Sequence, residues 1–254
     1  MTSTATEPAH TGSAAHAAAE HYQGPSGSRY LAHRAGARSA RAQANRADTV
    51  RPWLDGLGTV VDFGCGDGGV LSRLAIGQRI GVELCEEASA EARARGLSVV
   101  HSLADVAPEV ADAVLFCHSL EHVASPSSCL TEARRVLRPG GLVVVLLPAE
   151  TPWDSDYRNW RPNLDRHLHS WTPLSIGNLL IACGFDLAFA RLVATATRSR
   201  LVQGLGVTPG LRRRLADLRA RLLGRLEILA VATKPVEGNR PAPPPARSPE
   251  FSGH

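Results

Sequence analysis

Short apolar runs alternate along this chain with segments whose apolar positions recur every three or four residues. Residues 59–63 (Thr-Val-Val-Asp-Phe) are β-branched and apolar up to an acid near the end, the pattern of a strand buried on both faces. Residues 79–83, 97–101, 112–117 and 142–147 repeat that pattern. Between the runs, residues 70–75, 87–95 and 127–137 read as helices, the second closed by Gly96 as a C-terminal cap. A helix over residues 174–183 starts behind Thr172-Pro173 and stops at Gly184, and residues 187–195 and 226–233 read as a sixth and a seventh strand. Upstream, an Ala/Arg-rich helix is expected over residues 32–54. Strands alternating with helices predict an α/β fold with a doubly wound, mainly parallel sheet.

The flanking segments lack such periods. Residues 1–20 are rich in Ala, Ser, Thr and Gly, and residues 237–254 are rich in Pro; both are expected to be disordered tails. Residues 21–236 are expected to form one domain. Inside it, residues 149–172 make a long polar and aromatic connection, and loops of that length in compact domains usually carry function. In residues 209–225, Leu211, Leu215, Leu218 and Leu222 recur at steps of three and four while arginines cover much of the rest. That segment reads as a basic amphipathic helix inside an insertion over residues 196–225. It either packs on the domain, pairs two copies, or rims a site for an acidic substrate.

Composition narrows the class. The chain has 254 residues and a formal net charge of +4, and Lys234 is the only lysine among 28 basic residues. The arginines are mostly interspersed with acids, so a nucleic-acid partner is not favoured. Five cysteines without C-x-x-C spacing argue for reduced thiols in the cytoplasm, with neither a disulfide framework nor a zinc site. No apolar run is long enough to span a bilayer.

The candidate chemistry lies at residues 62–69, Asp-Phe-Gly-Cys-Gly-Asp-Gly-Gly. Glycines here let the backbone adopt φ > 0 and let a ligand approach the main chain. Gly64, Gly66 and Gly69 satisfy a dinucleotide spacing, and Gly64, Gly66 and Gly68 satisfy a second one, so the glycines alone leave the ligand open. Glu83 follows about 20 residues on, the distance at which an acid reaches ribose hydroxyls in nucleotide-binding βαβ units. A helix at residues 70–75 would aim its N-terminus at the same ligand.

Four motifs in order decide the matter. Asp62-Phe63-Gly64-Cys65-Gly66-x-Gly68, Val82-Glu83, Leu120-Glu121-His122-Val123 and Arg135-Val136-Leu137-Arg138-Pro139-Gly140-Gly141 together resemble the class I S-adenosylmethionine-dependent methyltransferases, small-molecule branch. The resemblance covers residues 50–190, with a fainter match near Lys234. It implies a Rossmann-like, seven-stranded sheet whose last two strands form an antiparallel edge hairpin. It implies S-adenosylmethionine as cofactor, held by Asp62, Gly64, Cys65, Gly66, Gly68, Glu83, Leu84, Ser102, Leu103 and His118. Residues 21–54 would cap the cofactor mouth, with Tyr22 and Tyr30 facing the methyl group or simply packing. His167 and His169 resemble the histidine segment before the late helix of the family and are the candidate catalytic bases. His122, Trp153 and Trp171 complete the expected acceptor side, His122 with a loop-bracing role as its alternative. No metal is expected, because His-x-His has no acid or cysteine at ligand spacing beside it. The expected activity is methyl transfer to oxygen or nitrogen of a small molecule. A macromolecular acceptor and a non-catalytic binding protein are the alternatives.

Overall fold

The computed structural model describes residues 20–36, 38–149, 164–194 and 226–236. The expected tails, Trp153 and the basic segment 209–225 lie outside the described residues.

Two helices, α1 (Gly24–His33) and α2 (Ala40–Leu54), precede β1 (Thr59–Phe63). Then come β2 (Gln78–Val82), α3 (Glu86–Ala94), β3 (Ser98–Val100), β4 (Ala111–Cys117), α4 (Pro126–Val136), β5 (Leu137–Pro148), α5 (Pro173–Ala182), β6 (Asp186–Ala194) and β7 (Leu226–Thr233). The seven strands form one sheet in the order β3-β2-β1-β4-β5-β7-β6. The first five pair in parallel, and β7 runs antiparallel to both β5 and β6. This is the doubly wound sheet with an antiparallel edge hairpin that the sequence led us to expect.

Strand alternation builds the core on both faces. Val61, Val114, Phe116, Val143 and Val145 face a layer with α4 and α5, where Leu130, Ile176 and Leu180 are buried. Val60, Ala113, Leu115, Val144 and Leu146 face the opposite layer, against Ala47, Val50 and Leu54 of α2. Apolar residues on both faces explain why these strands read as continuous apolar runs. The strand order reverses between β1 and β4, the place where doubly wound sheets leave a crevice beyond the strand ends.

Three expectations need correction. The helix expected at residues 70–75 is only a 3-10 turn, Leu71–Arg73. Its carbonyls go to side chains: Arg79 Nε and Nη2 donate to Leu71 O and Leu74 O, and Arg51 donates to Arg73 O. Asp55 accepts from Ala75 N at 2.9 Å, and the chain then turns into β2. A turn this short has no helix dipole to offer a ligand. The single helix expected over residues 32–54 is two, because the chain turns after His33 and Ser39 caps a new helix by accepting from Ala42 N. Finally, the strand expected over residues 142–147 starts earlier, directly behind α4, and takes in Pro139-Gly140-Gly141. β5 starts at Leu137 and passes through this stretch, with Gly140 at φ 79° and a register shift opposite Ala111 to Ala113. Among the described residues, no helix is long and apolar enough to cross a membrane.

Candidate active site

A cavity of about 820 Å³ opens over the carboxyl ends of β1, β2 and β4 and is covered by α1 and α2. That is within the roughly 300–1,000 Å³ range of small-molecule sites.

The glycine turn forms one wall. Gly64, Gly66 and Gly68 have φ values of 74°, 54° and 70°, a region that other residues adopt at a cost. At Gly66 an added Cβ would meet nothing within 4 Å, so this part of the backbone is open. Gly69 is closed off instead: an added Cβ would run into the side-chain amide of Gln43. That amide donates to both oxygens of buried Asp67, at 2.7 and 2.9 Å. Asp67 also accepts from Gly69 N and from Arg95. Gln43 on α2 therefore clips the turn in place.

Glu83, just past β2, closes the turn from the other side. Oε2 accepts from Gly66 N at 2.9 Å, and Oε1 accepts from Leu84 N and Cys85 N at 2.8 Å each. A carboxylate offers about four acceptor sites, so one remains, on Oε2. Burial pushes the Glu83 carboxyl up, and these backbone donors oppose the rise. Asp62 near the end of β1 is buried, and its Oδ1 has no hydrogen-bond partner. Burial, and then the charge of Glu83, push Asp62 up to about 8. An unpartnered acid in a cavity wall suits a ligand cation.

Ser102 and Leu103 part company. Ser102 lines the cavity and caps a 3-10 turn, while Leu103 is buried in the core. Asp105 accepts from Ser102 N at 3.0 Å and so braces the loop. Arg135 of α4 fixes the same loop by donating to Leu103 O and Val106 O. His101 also lines the cavity, with Nδ1 3.1 Å from Glu83 O.

The far wall follows β4. His118 has φ 55°, and its Nε2 lies 2.6 Å from Oε1 of Glu227, a buried acid of β7. Arg46 Nε stands 3.9 Å from the same oxygen. Neither Glu227, Arg46 nor Gln43 was expected at the site. An acid inside the apolar run of residues 226–233 was the one sequence signal that could have found Glu227.

Tyr22 and Tyr30 line the cavity from the α1 side, edge-to-face with each other at 5.0 Å. Both also pack edge-on against His122, which lines the cavity. Burial pushes Tyr30 up to about 12, raises Tyr22 further, and holds His122 down at about 3. Behind His122 lie Glu121, fully buried, and His167, whose ring is 4.9 Å away. Burial raises Glu121, and His118 opposes the rise. Among the described residues, Glu121, His122 and His167 are the one group of three His, Cys, Asp or Glu side chains that brings a ligand atom from each within 4.8 Å of the others.

The two histidines of the expected base pair diverge. His169 Nε2 lies 3.0 Å from Val123 O, and its ring packs on Trp171. Trp171 itself is in the core, 8% exposed, and does not line the cavity as expected. His167 adjoins the cavity only through His122.

Known proteins agree with this architecture. Residues 30–188 match the family described as methyltransferase domain. The trans-aconitate 2-methyltransferase of Acidovorax sp. (strain JS42) is 37% identical over 97 residues, which is 35% of this chain and 38% of that protein. The chain spans about a third of the length of the curated relatives it matches. Among solved structures, the complex of the Haloferax volcanii Trm112 methyltransferase activator with a proposed methyltransferase aligns with a TM-score of 0.61 at 21% identity, covering 81% of this chain and 95% of that one. A Thermotoga maritima S-adenosylmethionine-dependent methyltransferase, described as a possible histamine N-methyltransferase, gives 0.58 at 19%, covering 81% and 96%. With the match over residues 30–188 and the sheet, glycine turn and strand-end acids in place, the chain belongs to the methyltransferase-domain family.

Proposed function

We propose that this chain is an S-adenosylmethionine-dependent methyltransferase that methylates oxygen or nitrogen of a small-molecule acceptor. One observation carries the reading: the open glycine turn, Asp62 with its unpartnered oxygen, and Glu83 all border one cavity. When bound, the cofactor supplies a methyl group on a cationic sulfur, and its leaving group is a neutral thioether.

The residues then divide the work. Asp62 takes the cationic amino group. Glu83 accepts a ribose hydroxyl at Oε2, while its other acceptor sites hold the turn in shape. Leu84 and Ser102 flank the base, and His118, set by Glu227, borders the sulfur. Tyr22 and Tyr30 close the acceptor end and exclude water. Alignment of acceptor, methyl and sulfur contributes several kcal/mol through orientation alone. The base role expected of His167 and His169 gains nothing from their placement, since neither lines the cavity.

A small acceptor fits the aromatic end of the cavity, and the named relatives act on trans-aconitate or are described for histamine. A macromolecular acceptor is the second reading, favoured by the Haloferax volcanii neighbour being a complex with a protein activator. The free cysteines fit the reducing cytoplasm. The test is transfer of labelled methyl from S-adenosylmethionine into a fractionated cell extract. The label is expected in the low-mass fraction. Label in RNA or protein would replace the small acceptor, and binding without transfer to any fraction would leave a non-catalytic member of the family.

A further inference from the structure

Glu121 takes no part in cofactor or acceptor binding as assigned, yet its position is costly. It lies in the 3-10 turn Leu120–His122, directly after β4, and is fully buried. Both of its carboxylate oxygens lack a hydrogen-bond partner. Oε1 stands 3.7 Å from His118 Nδ1 and 3.7 Å from His122 Nε2. Those separations are too long for hydrogen bonds. Nδ1 of His122 is also buried without a partner. The nearby charge of Arg34 is taken up by Asp165, 3.1 Å away. Buried charged groups are ordinarily paired or bound to metal, and here the nearest partners stop short.

The third member comes from a distant segment held at the same place. Leu168 N and His169 N both donate to Glu121 O, at 2.7 and 3.2 Å. These bonds fix the strand of chain that carries His167 against the turn that carries Glu121 and His122. One ligand atom from each of the three residues then lies within 4.8 Å of the others. Donor atoms around one ion, at bonds of about 2.0–2.2 Å, stand about 3–3.5 Å apart. Binding an ion would draw the three atoms together by rotation about their side-chain torsions.

We propose that Glu121, His122 and His167 bind one divalent transition-metal ion at the acceptor end of the cavity. Two imidazole nitrogens and one carboxylate oxygen suit zinc, cobalt, nickel or ferrous iron better than magnesium or calcium, which prefer all-oxygen shells. Three protein ligands leave a coordination position open. His122 lines the cavity, and Tyr30 Oη is 3.5 Å from its Nε2, so the open position adjoins the acceptor space. An acceptor oxygen would coordinate there and become easier to deprotonate. This last consequence rests on the proposed methyltransferase activity; the binding of the ion does not.

The test uses the full chain, stripped with a chelator and titrated with Co²⁺ without any adenosyl ligand. The expected result is one equivalent bound, with visible d–d bands and no thiolate-to-metal band in the near ultraviolet. Zn²⁺ should displace Co²⁺, and Mg²⁺ should not. Glu121→Gln and His167→Asn should each weaken Co²⁺ binding at least about tenfold, in line with the losses seen even for residues behind the ligands. No stoichiometric Co²⁺ on the wild type overturns the site, as does a thiolate band or binding left unchanged in both variants. Should Glu121→Gln fail to fold, His167→Asn and the wild-type stoichiometry still decide. Titration with S-adenosylhomocysteine separates the two readings: metal without nucleoside upholds the site and removes the proposed function, and nucleoside without metal does the reverse.

Discussion

Among single residues, Asp62 carries the most direct prediction about binding. Its raised value of about 8 means that near neutral pH the ligand-free protein holds a protonated acid beside the glycine turn. A cationic amino group favours the ionised form, so binding must expel that proton. Affinity for S-adenosylmethionine should therefore rise with pH, by up to about tenfold per unit below the Asp62 value, and level off above it. Calorimetry in buffers of different ionisation heat should show close to one proton released at pH 7, and Asp62→Asn should remove both effects. A pH-independent affinity in the wild type would place the amino group elsewhere. Asp62, Glu83, Tyr22 and Tyr30 were legible in the sequence, because a strand-end acid or an aromatic in a capping segment is a local signal. Gln43 and Glu227 were not. Each acts through a partner 24 or 109 positions away, and a single chain does not display such pairing. His167 and His169 were legible as a pair but not as opposites, since only the fold reveals that one braces Val123 O and the other adjoins Glu121.

The glycine turn and the α2 residue that clips it are the element on which the site depends. Gly69→Ala would drive a methyl group into the Gln43 amide, which Asp67 holds by two hydrogen bonds. Losing those bonds around a buried acid should cost about 1–3 kcal/mol in denaturant unfolding. Gln43→Ala should cost a similar amount, and the double variant less than the sum of the two, since both break one contact. Strict additivity would mean that the turn holds itself. The sequence showed the turn but overstated the helix after it. Apolar residues at 70, 71 and 74 match a helical period, yet Arg79, Arg51 and Asp55 take the backbone groups that a longer helix would have used. The same limit applies at the N-terminus, where alanine content favoured one helix and the cap at Ser39 made two.

The molecule as a whole reads as a doubly wound sheet whose switch point between β1 and β4 carries the cavity. That much was legible, because both-face burial leaves unbroken apolar runs and the intervening helices fix the parallel order. The antiparallel β7 was expected only through family resemblance; no local pattern distinguishes its direction. Ligand binding should slow amide exchange in residues 64–69, residues 101–105 and α1 by about tenfold or more, and leave the β6–β7 edge almost unchanged. Uniform protection would mean global stabilisation without a local site. The proposed chemistry requires above all that this switch point hold an adenosyl amino acid. Calorimetric titration of wild type and Glu83→Ala with S-adenosylmethionine, S-adenosylhomocysteine and NADH decides that, with thermal unfolding to confirm that both proteins are folded. Both adenosyl ligands should bind and NADH should not. The substitution should weaken binding roughly tenfold or more, as befits a lost charge-assisted hydrogen bond. Folded wild-type protein that binds neither adenosyl ligand would contradict the assignment.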